Sequence, residues 1–511
     1  MVSMPHRPDG RPSEPGQAAP VVATPAGPVR GVMLGDAKAA YLGIPYAEAP
    51  IGDLRFALAV KRAGWSDVRD ASRYGATPLR DYMTSLTAIP EPAFAGDETL
   101  VLNVFTPRPG EATAALPVFV WIHGGGFVTG SASSPWYEGG AFPRDGVVVV
   151  SVSYRLGFDG FGVIEGAPDN RAVRDWILAL EWVRDSIAEF GGDPDHVTVG
   201  GQSAGGTAAL TLLTMPSAQH LFVGAIAESP CMITGSRDQA VGRAGRLAQH
   251  LGIGRTRAGF AGVEEEVIFR AQAKMGKREI DLPYVRGVAR GTTSAMGWSP
   301  VVDGDLIPYR IEEGVARGIG AQKRLLIGAT ANEMDRMGEL LPAFVDQFPT
   351  RWALFVVGFG RTRGRAYAAA TPGGVRTTLA RVMSDAGFRF YLARILTSRG
   401  GAARTVGPSF VYDFRLSSSS TGLAGHCIEL PFVWDCLDGE NVVERNTGPN
   451  PPQPVADLAH AAWVSFIAAG SPGWPAYTAV DCRGMIFDRD PQVGSVFVRE
   501  QDLAAHQVEP R

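Results

Sequence analysis

Short apolar runs alternate along the chain with longer stretches in which apolar side chains recur at every third or fourth position. Leu116–Ile122 (LPVFVWI), 146–154 (GVVVVSVSY) and 196–199 (HVTV) are rich in β-branched residues and end at turn signals, so each predicts a buried strand. Between the second and third, Val173, Ile177, Leu180, Val183 and Ile187 share one helical face, which predicts a crossover helix over 170–190 and a parallel unit. Further strands are expected at 222–227 (FVGAIA), 324–328 (RLLIG) and 410–414 (FVYDF). This rhythm predicts an α/β fold on one open, mostly parallel sheet with helices on both faces.

The intervals 236–298 and 342–403 carry helical period, many charges and weak strand signal. They read either as cap-like helical insertions over the C-terminal edge of the sheet or as ordinary packing helices. Residues 1–20 contain five prolines, two glycines and no aromatic side chain, which predicts a disordered tail ahead of a single domain spanning 21–511.

Of 511 residues, 45% are hydrophobic and 20% charged, a balance that can bury a large core. With 48 basic and 52 acidic residues the net charge is −4, so there is no overall field to gather nucleic acid. The tail has no apolar h-region and the chain no apolar stretch of membrane-spanning length, which makes a cytoplasmic protein the expectation. The four cysteines (Cys231, Cys427, Cys436, Cys482) form no CxxC pair and no metal-type spacing. Neither a zinc site nor a disulfide framework is expected.

Candidate chemistry begins at Gly201-Gln202-Ser203-Ala204-Gly205, a GxSxG pattern between a predicted strand and a predicted helix. A sharp strand-to-helix turn needs tiny neighbours and thrusts the serine out at a helix N-terminus, where amide dipoles favour developing negative charge. A capped, glycine-rich helix start is the bland reading of the same text. Upstream, His123-Gly124-Gly125-Gly126 follows the LPVFVWI strand directly. Consecutive glycines let backbone N–H groups approach a reacting carbonyl, so Gly125, Gly126 and Ala204 are the candidate oxyanion donors.

Taken together, these segments resemble the type-B carboxylesterase family, α/β-hydrolases related to cholinesterases and bacterial para-nitrobenzyl esterases. The resemblance runs from about Val29 to Trp474 through YLGIPYAEAPIGDLRF, DETLVLNVFTP, WIHGGGF, SVSYRLGFDGF, GGQSAGG, SPVVDGDLIP, GATANE and GHCIELPFVW. It implies an α/β-hydrolase with helical insertions at the C-terminal edge of its sheet. The triad it implies is Ser203 as nucleophile, Glu333 as acid and His426 as base, in the chain order that such a sheet requires. The glycine that follows the acid in relatives is Met334 here, and Gln202 stands where many relatives carry glutamate. Losing that anion disfavours quaternary ammonium substrates. The resemblance also implies buried ion pairs Arg55–Asp97 and Arg155–Asp175, and Thr99 in place of a disulfide cysteine. Cys427, beside His426, offers a reactive thiol, but its residue type favours a small buried apolar filler.

The implied activity is hydrolysis of small to medium uncharged carboxylic esters through an acyl-enzyme, with no metal or organic cofactor, a small-molecule ester as partner, and no nucleic acid. Two rivals stand beside it. One is a catalytically silent binding member of the same fold; the other is an amidase, lactonase or acyltransferase using the same site.

Overall fold

The computed structural model describes residues 17–35, 38–80, 87–233, 235–279, 282–290, 294, 296–400 and 407–505. The expected tail lies outside the described residues apart from residues 17–20, and there Ala18 already pairs with Val32 in the sheet. The strands are β1 Ala18–Thr24, β2 Gly27–Leu34, β3 Lys38–Pro45, β4 Arg69–Asp70, β5 Val101–Thr106, β6 Leu116–Ile122, β7 Val148–Val152, β8 Gly192–Gln202, β9 Gly224–Glu228, β10 Arg324–Thr330, β11 Ser409–Phe414, β12 Arg483–Phe487 and β13 Gln492–Ser495. They form one open sheet in the order β1-β2-β3-β5-β7-β6-β8-β9-β10-β11-β12-β13, with β4 beside β2. From β7 across to β12 all neighbours are parallel. The flanks, β1-β2-β3-β5-β7 and β12-β13, are antiparallel.

The central runs lack polar alternation because both faces of the sheet are covered. Within β6, Val118, Val120 and Ile122 pack into one core and Phe119 and Trp121 into the other. The helix Arg171–Ser186 closes the first face through Val173, Trp176, Ala179, Leu180 and Val183. Trp176 is buried there while Ile177, expected inward, is only half-buried. The helix Gln453–Ala469 closes the second face through Val455, Ala459, Trp463 and Phe466. The crossover from β7 to β8 steps over β6, which lies between them.

The interval 236–298 contains the helices Arg237–Leu251, Arg257–Ala261, Glu265–Glu279 and Leu282–Arg290. The interval 342–403 contains Thr350–Val356, Arg361–Ala370, Val375–Ser384 and Phe390–Gly400.

Arg155 and Asp175 form the expected pair, with Nη2 to Oδ1 at 2.6 Å, Nε to Oδ2 at 2.9 Å and both side chains buried. The other expected pair does not form. Asp97 stays exposed, keeping its hydration, and Arg55 instead reaches Asp159 at 3.0 Å and the Val263 carbonyl at 2.7 Å. One planar guanidinium satisfies both acceptors in a single fork.

Removing one partner of a buried pair strands the other charge. Asp175→Ala is therefore expected to cost about 3–5 kcal/mol in urea unfolding. Lys61→Ala, which breaks the exposed pair with Asp185, should cost under about 1 kcal/mol.

Candidate active site

β8 stops at Gln202, and the next residue turns the chain back on itself. Ser203 has φ 58 and ψ −119, a conformation that a side chain rarely adopts, and the helix Ala204–Leu213 begins immediately after it. The Ser203 N–H donates to the Glu228 carbonyl on β9 at 2.8 Å, and the Ser203 carbonyl accepts from Thr207 N–H at 2.9 Å. Gly205 is required by space: a Cβ there would lie 1.9 Å from the Ile122 carbonyl oxygen at the end of β6. The two smallest residues of GxSxG thus let the elbow lie directly against the strand that feeds the glycine loop.

That loop leaves β6 through His123, which is fully buried and stacked on Tyr154 with ring centroids 4.5 Å apart. Burial pushes the His123 pKa down to about 4, so the ring is neutral, and Nδ1–H donates to the Gly124 carbonyl at 2.8 Å. Gly125 sits at φ +108, closed to other residues without strain. Among the described residues, the N–H groups of Gly125, Gly126 and Ala204 have no protein acceptor.

Glu333 and His426 arrive on adjoining loops. Asn332 N–H donates to Ala424 O at 2.9 Å, and His426 N–H to Glu333 O at 3.2 Å, which zips the segment after β10 to the segment after β11. The Glu333 carboxylate accepts from Thr330 N–H at 2.8 Å through Oε1 and from His426 Nδ1 at 2.5 Å through Oε2. Met334, in place of glycine, has φ −118, and its N–H donates to Ser384 Oγ at 2.7 Å. The turn needs no positive φ at that position, so the substitution leaves it intact.

The other imidazole nitrogen, Nε2, lies 3.4 Å from the Gln202 amide nitrogen. The Ser203 hydroxyl contacts the Cys231 thiol at 3.5 Å rather than His426. Burial pushes the Cys231 thiol up, so it stays protonated. Ser203, His426 and Gly124–Gly126 all line one cavity of about 380 Å³. Its walls include Met296, Met334, Met337 and Met383, with Val288 and Phe388 from the two helical intervals. Cys427 also lines it, buried and held protonated by burial, with Glu429 and Glu333 adding to the effect.

Sequence reasoning missed three groups here: Glu91, Cys231 and Glu228. None stands in a local motif, and each reaches the site through contacts distant in the chain. Glu228, at the end of β9, accepts from Trp463 Nε1–H at 2.7 Å and is otherwise enclosed, so burial raises its pKa to about 8. Glu429 is likewise pushed well up, by burial first and then by Glu333 and Glu228.

Sheet and elbow together place the chain among the α/β-hydrolases, and the chemistry they frame is that of a serine hydrolase. The model of the carboxylesterase family matches residues 18–350. Over 494 residues the chain is 32% identical to a para-nitrobenzyl esterase of Bacillus subtilis, covering 92% of this chain and 95% of that protein. It is 33% identical over 493 residues to a phenmedipham hydrolase of Pseudarthrobacter oxydans, covering 90% and 94%. A solved PNB esterase superposes with a TM-score of 0.80 at 29% identity, covering 96% of this chain and 99% of the other. A Geobacillus stearothermophilus carboxylesterase gives a TM-score of 0.79 at 28% identity, covering 94% and 99%. The chain belongs to the carboxylesterase family and is a carboxylic ester hydrolase.

Glu228 sets a pH dependence of stability. Its folded pKa lies above the unfolded one, so the native state binds more protons and loses stability as pH rises from the usual carboxylate range to about 8. Glu228→Gln removes this loss. The stability of the variant relative to the parent, from urea midpoints at about pH 5 and about pH 8, is expected to rise with pH.

Proposed function

We propose that Ser203 is the nucleophile, His426 the general base and Glu333 the residue that orients it, in an esterase for small to medium uncharged carboxylic esters. The observation that carries this is the 2.5 Å hydrogen bond from His426 Nδ1 to Glu333 Oε2, which leaves Nε2 as the basic nitrogen in the cavity that Ser203 shares.

The Ser203 hydroxyl swings from Cys231 toward His426, a rotation about one side-chain bond. Nε2 takes the proton as Oγ bonds to the ester carbonyl carbon, and the carbonyl oxygen becomes an oxyanion received by the N–H groups of Gly125, Gly126 and Ala204. The tetrahedral intermediate collapses, the C–O bond to the leaving group breaks, and His426 returns the proton to the departing alcohol. Water, deprotonated by the same imidazole, then attacks the acyl-serine and releases the acid.

The substrate class rests on the walls. They are mostly apolar, no lysine or arginine among the described residues lines them, Gln202 is neutral, and the hydrogen-bonded carboxylate oxygen of Glu91 is taken up by Arg80, Thr129 and Gly130. Desolvating a charged substrate there would go uncompensated. The four methionines suit acyl and alcohol groups of differing shape. The relatives named for a para-nitrobenzyl ester support an ester with a nitroaromatic leaving group as the first probe.

The same reading takes the described catalytic body as one domain, with the intervals 236–298 and 342–403 as its cap. It also takes the protein to be cytoplasmic, supported by four free cysteines. No helix among the described residues is long and apolar enough to cross a membrane.

Ser203→Ala should lower kcat for para-nitrophenyl butyrate by about 10⁴-fold or more with an unchanged circular dichroism spectrum. A fluorophosphonate should add its mass to Ser203 in the parent and not in the variant. Undiminished turnover by Ser203→Ala would overturn the assignment; an unlabelled, inactive parent would favour the silent binding protein.

A further inference from the structure

A buried ion pair stands behind the glycine loop. Arg80 and Glu91 are both fully enclosed, with Nε 3.7 Å from Oε2. The Arg80 guanidinium also donates to the carbonyls of Pro78 at 3.1 Å, Glu91 at 3.2 Å and Pro92 at 2.5 Å. It therefore ties both ends of the 78–92 segment to one cation.

The Glu91 carboxylate in turn reaches across to a different part of the chain. Its Oε2 accepts from Thr129 Oγ1–H at 2.6 Å and from Gly130 N–H at 2.8 Å. Burial raises the Glu91 pKa while Arg80, Thr129 and Gly130 oppose the shift, and losing such an acceptor leaves buried donors without a partner.

Residues 128–130 are the return limb of the glycine loop. Thr129 N–H and Val128 N–H both donate to the Gly125 carbonyl, at 2.9 and 3.1 Å. A peptide unit is planar, so holding the Gly125 carbonyl also holds the direction of the N–H of Gly126 on the same plane. Glycines bring no side chain that could fix that plane from within the loop. Its orientation is imposed from outside, along the path Arg80, Glu91, Thr129, Gly125.

We propose that Glu91 is a positioning residue for the oxyanion donor at Gly126. This rests on the reading of the glycine loop as the oxyanion site. Glu91 lines the same cavity, but its bonded oxygen is engaged by Thr129, Gly130 and Arg80, and its part in the reaction runs through the loop. Oxyanion donors act only when they stand at the place where charge develops, and removing one costs about 10² to 10³ in rate. A donor present but tilted should cost less, about 10- to 100-fold.

The test uses the full chain, with Glu91→Gln, Thr129→Val and Thr129→Ser. Glu91→Gln and Thr129→Val should each lower kcat for para-nitrophenyl butyrate by about 10- to 100-fold, with KM within about 3-fold. They should weaken inhibition by a trifluoromethyl ketone, which forms a tetrahedral oxyanion adduct on serine, by a similar factor. Thr129→Ser keeps the hydroxyl and should retain the parent kcat.

Thr129→Val is nearly isosteric and decides the matter if Glu91→Gln does not fold. A lower melting temperature with kcat per folded molecule unchanged would overturn the proposal. So would a raised KM at constant kcat, which would make Glu91 a mere wall of the pocket. Fluorophosphonate labelling of the parent separates the two levels. If Ser203 is labelled and these variants keep the parent kcat, only the positioning role fails; if Ser203 is unlabelled, the reading of the whole site fails.

Discussion

The geometry of this enzyme depends on one close approach of backbone to backbone. The turn after β8 lies against the last carbonyl of β6, so near that Gly205 cannot carry a β-carbon. That contact sets Ser203 beside the glycine loop, because the loop begins one residue after the carbonyl in question. It also explains why the serine can hold a strained backbone: β9 accepts its N–H, the new helix takes up its carbonyl, and parallel strands on both sides hold the two ends of the turn. Strain of this kind persists only where its surroundings over-determine it.

Beneath this turn the protein keeps its polar groups uncharged where it can. Glu228 and Glu429 are buried near the base of the site and held protonated by their surroundings, His123 is held neutral, and Gln202 takes the place beside the imidazole. Glu333 sits within hydrogen-bonding reach of the ring. The neutral neighbours matter for that pairing. On the proposed reading of His426 as the base, additional anions in so enclosed a space would compete for its imidazolium.

Much of the scaffold was readable in the chain because parallel strands covered on both faces are written as unbroken apolar runs. Leu116–Ile122 coincides with β6, and the runs at 222–227, 324–328 and 410–414 fall on β9, β10 and β11. The antiparallel flank was not readable in this way: β2, with the text GPVRGVML, mixes glycine, proline and arginine with its apolar residues because it is only partly covered. β8 was seen only in its middle, since its entry, GDPD, has the composition of a turn and its exit is glycine. Ser203 and the glycine loop announced themselves through local sterics, whereas Glu333 and His426 needed the resemblance to a family. Glu91 and Thr129 are 38 positions apart, and nothing in either neighbourhood announces the other. The partner of Arg55 was misjudged for a related reason: which carboxylate gives up its water is decided by packing, not by spacing.

Ser203, Glu333 and His426 stand just beyond β8, β10 and β11, while part of the cavity wall is contributed by long helical intervals of chain inserted between those strands. This amounts to a division of labour between a fixed workbench and exchangeable jigs. Residues in the inserted helices can drift, lengthen or change polarity without disturbing the register of β8, β10 and β11. A lineage built on this plan can therefore explore new esters while its chemistry stands still.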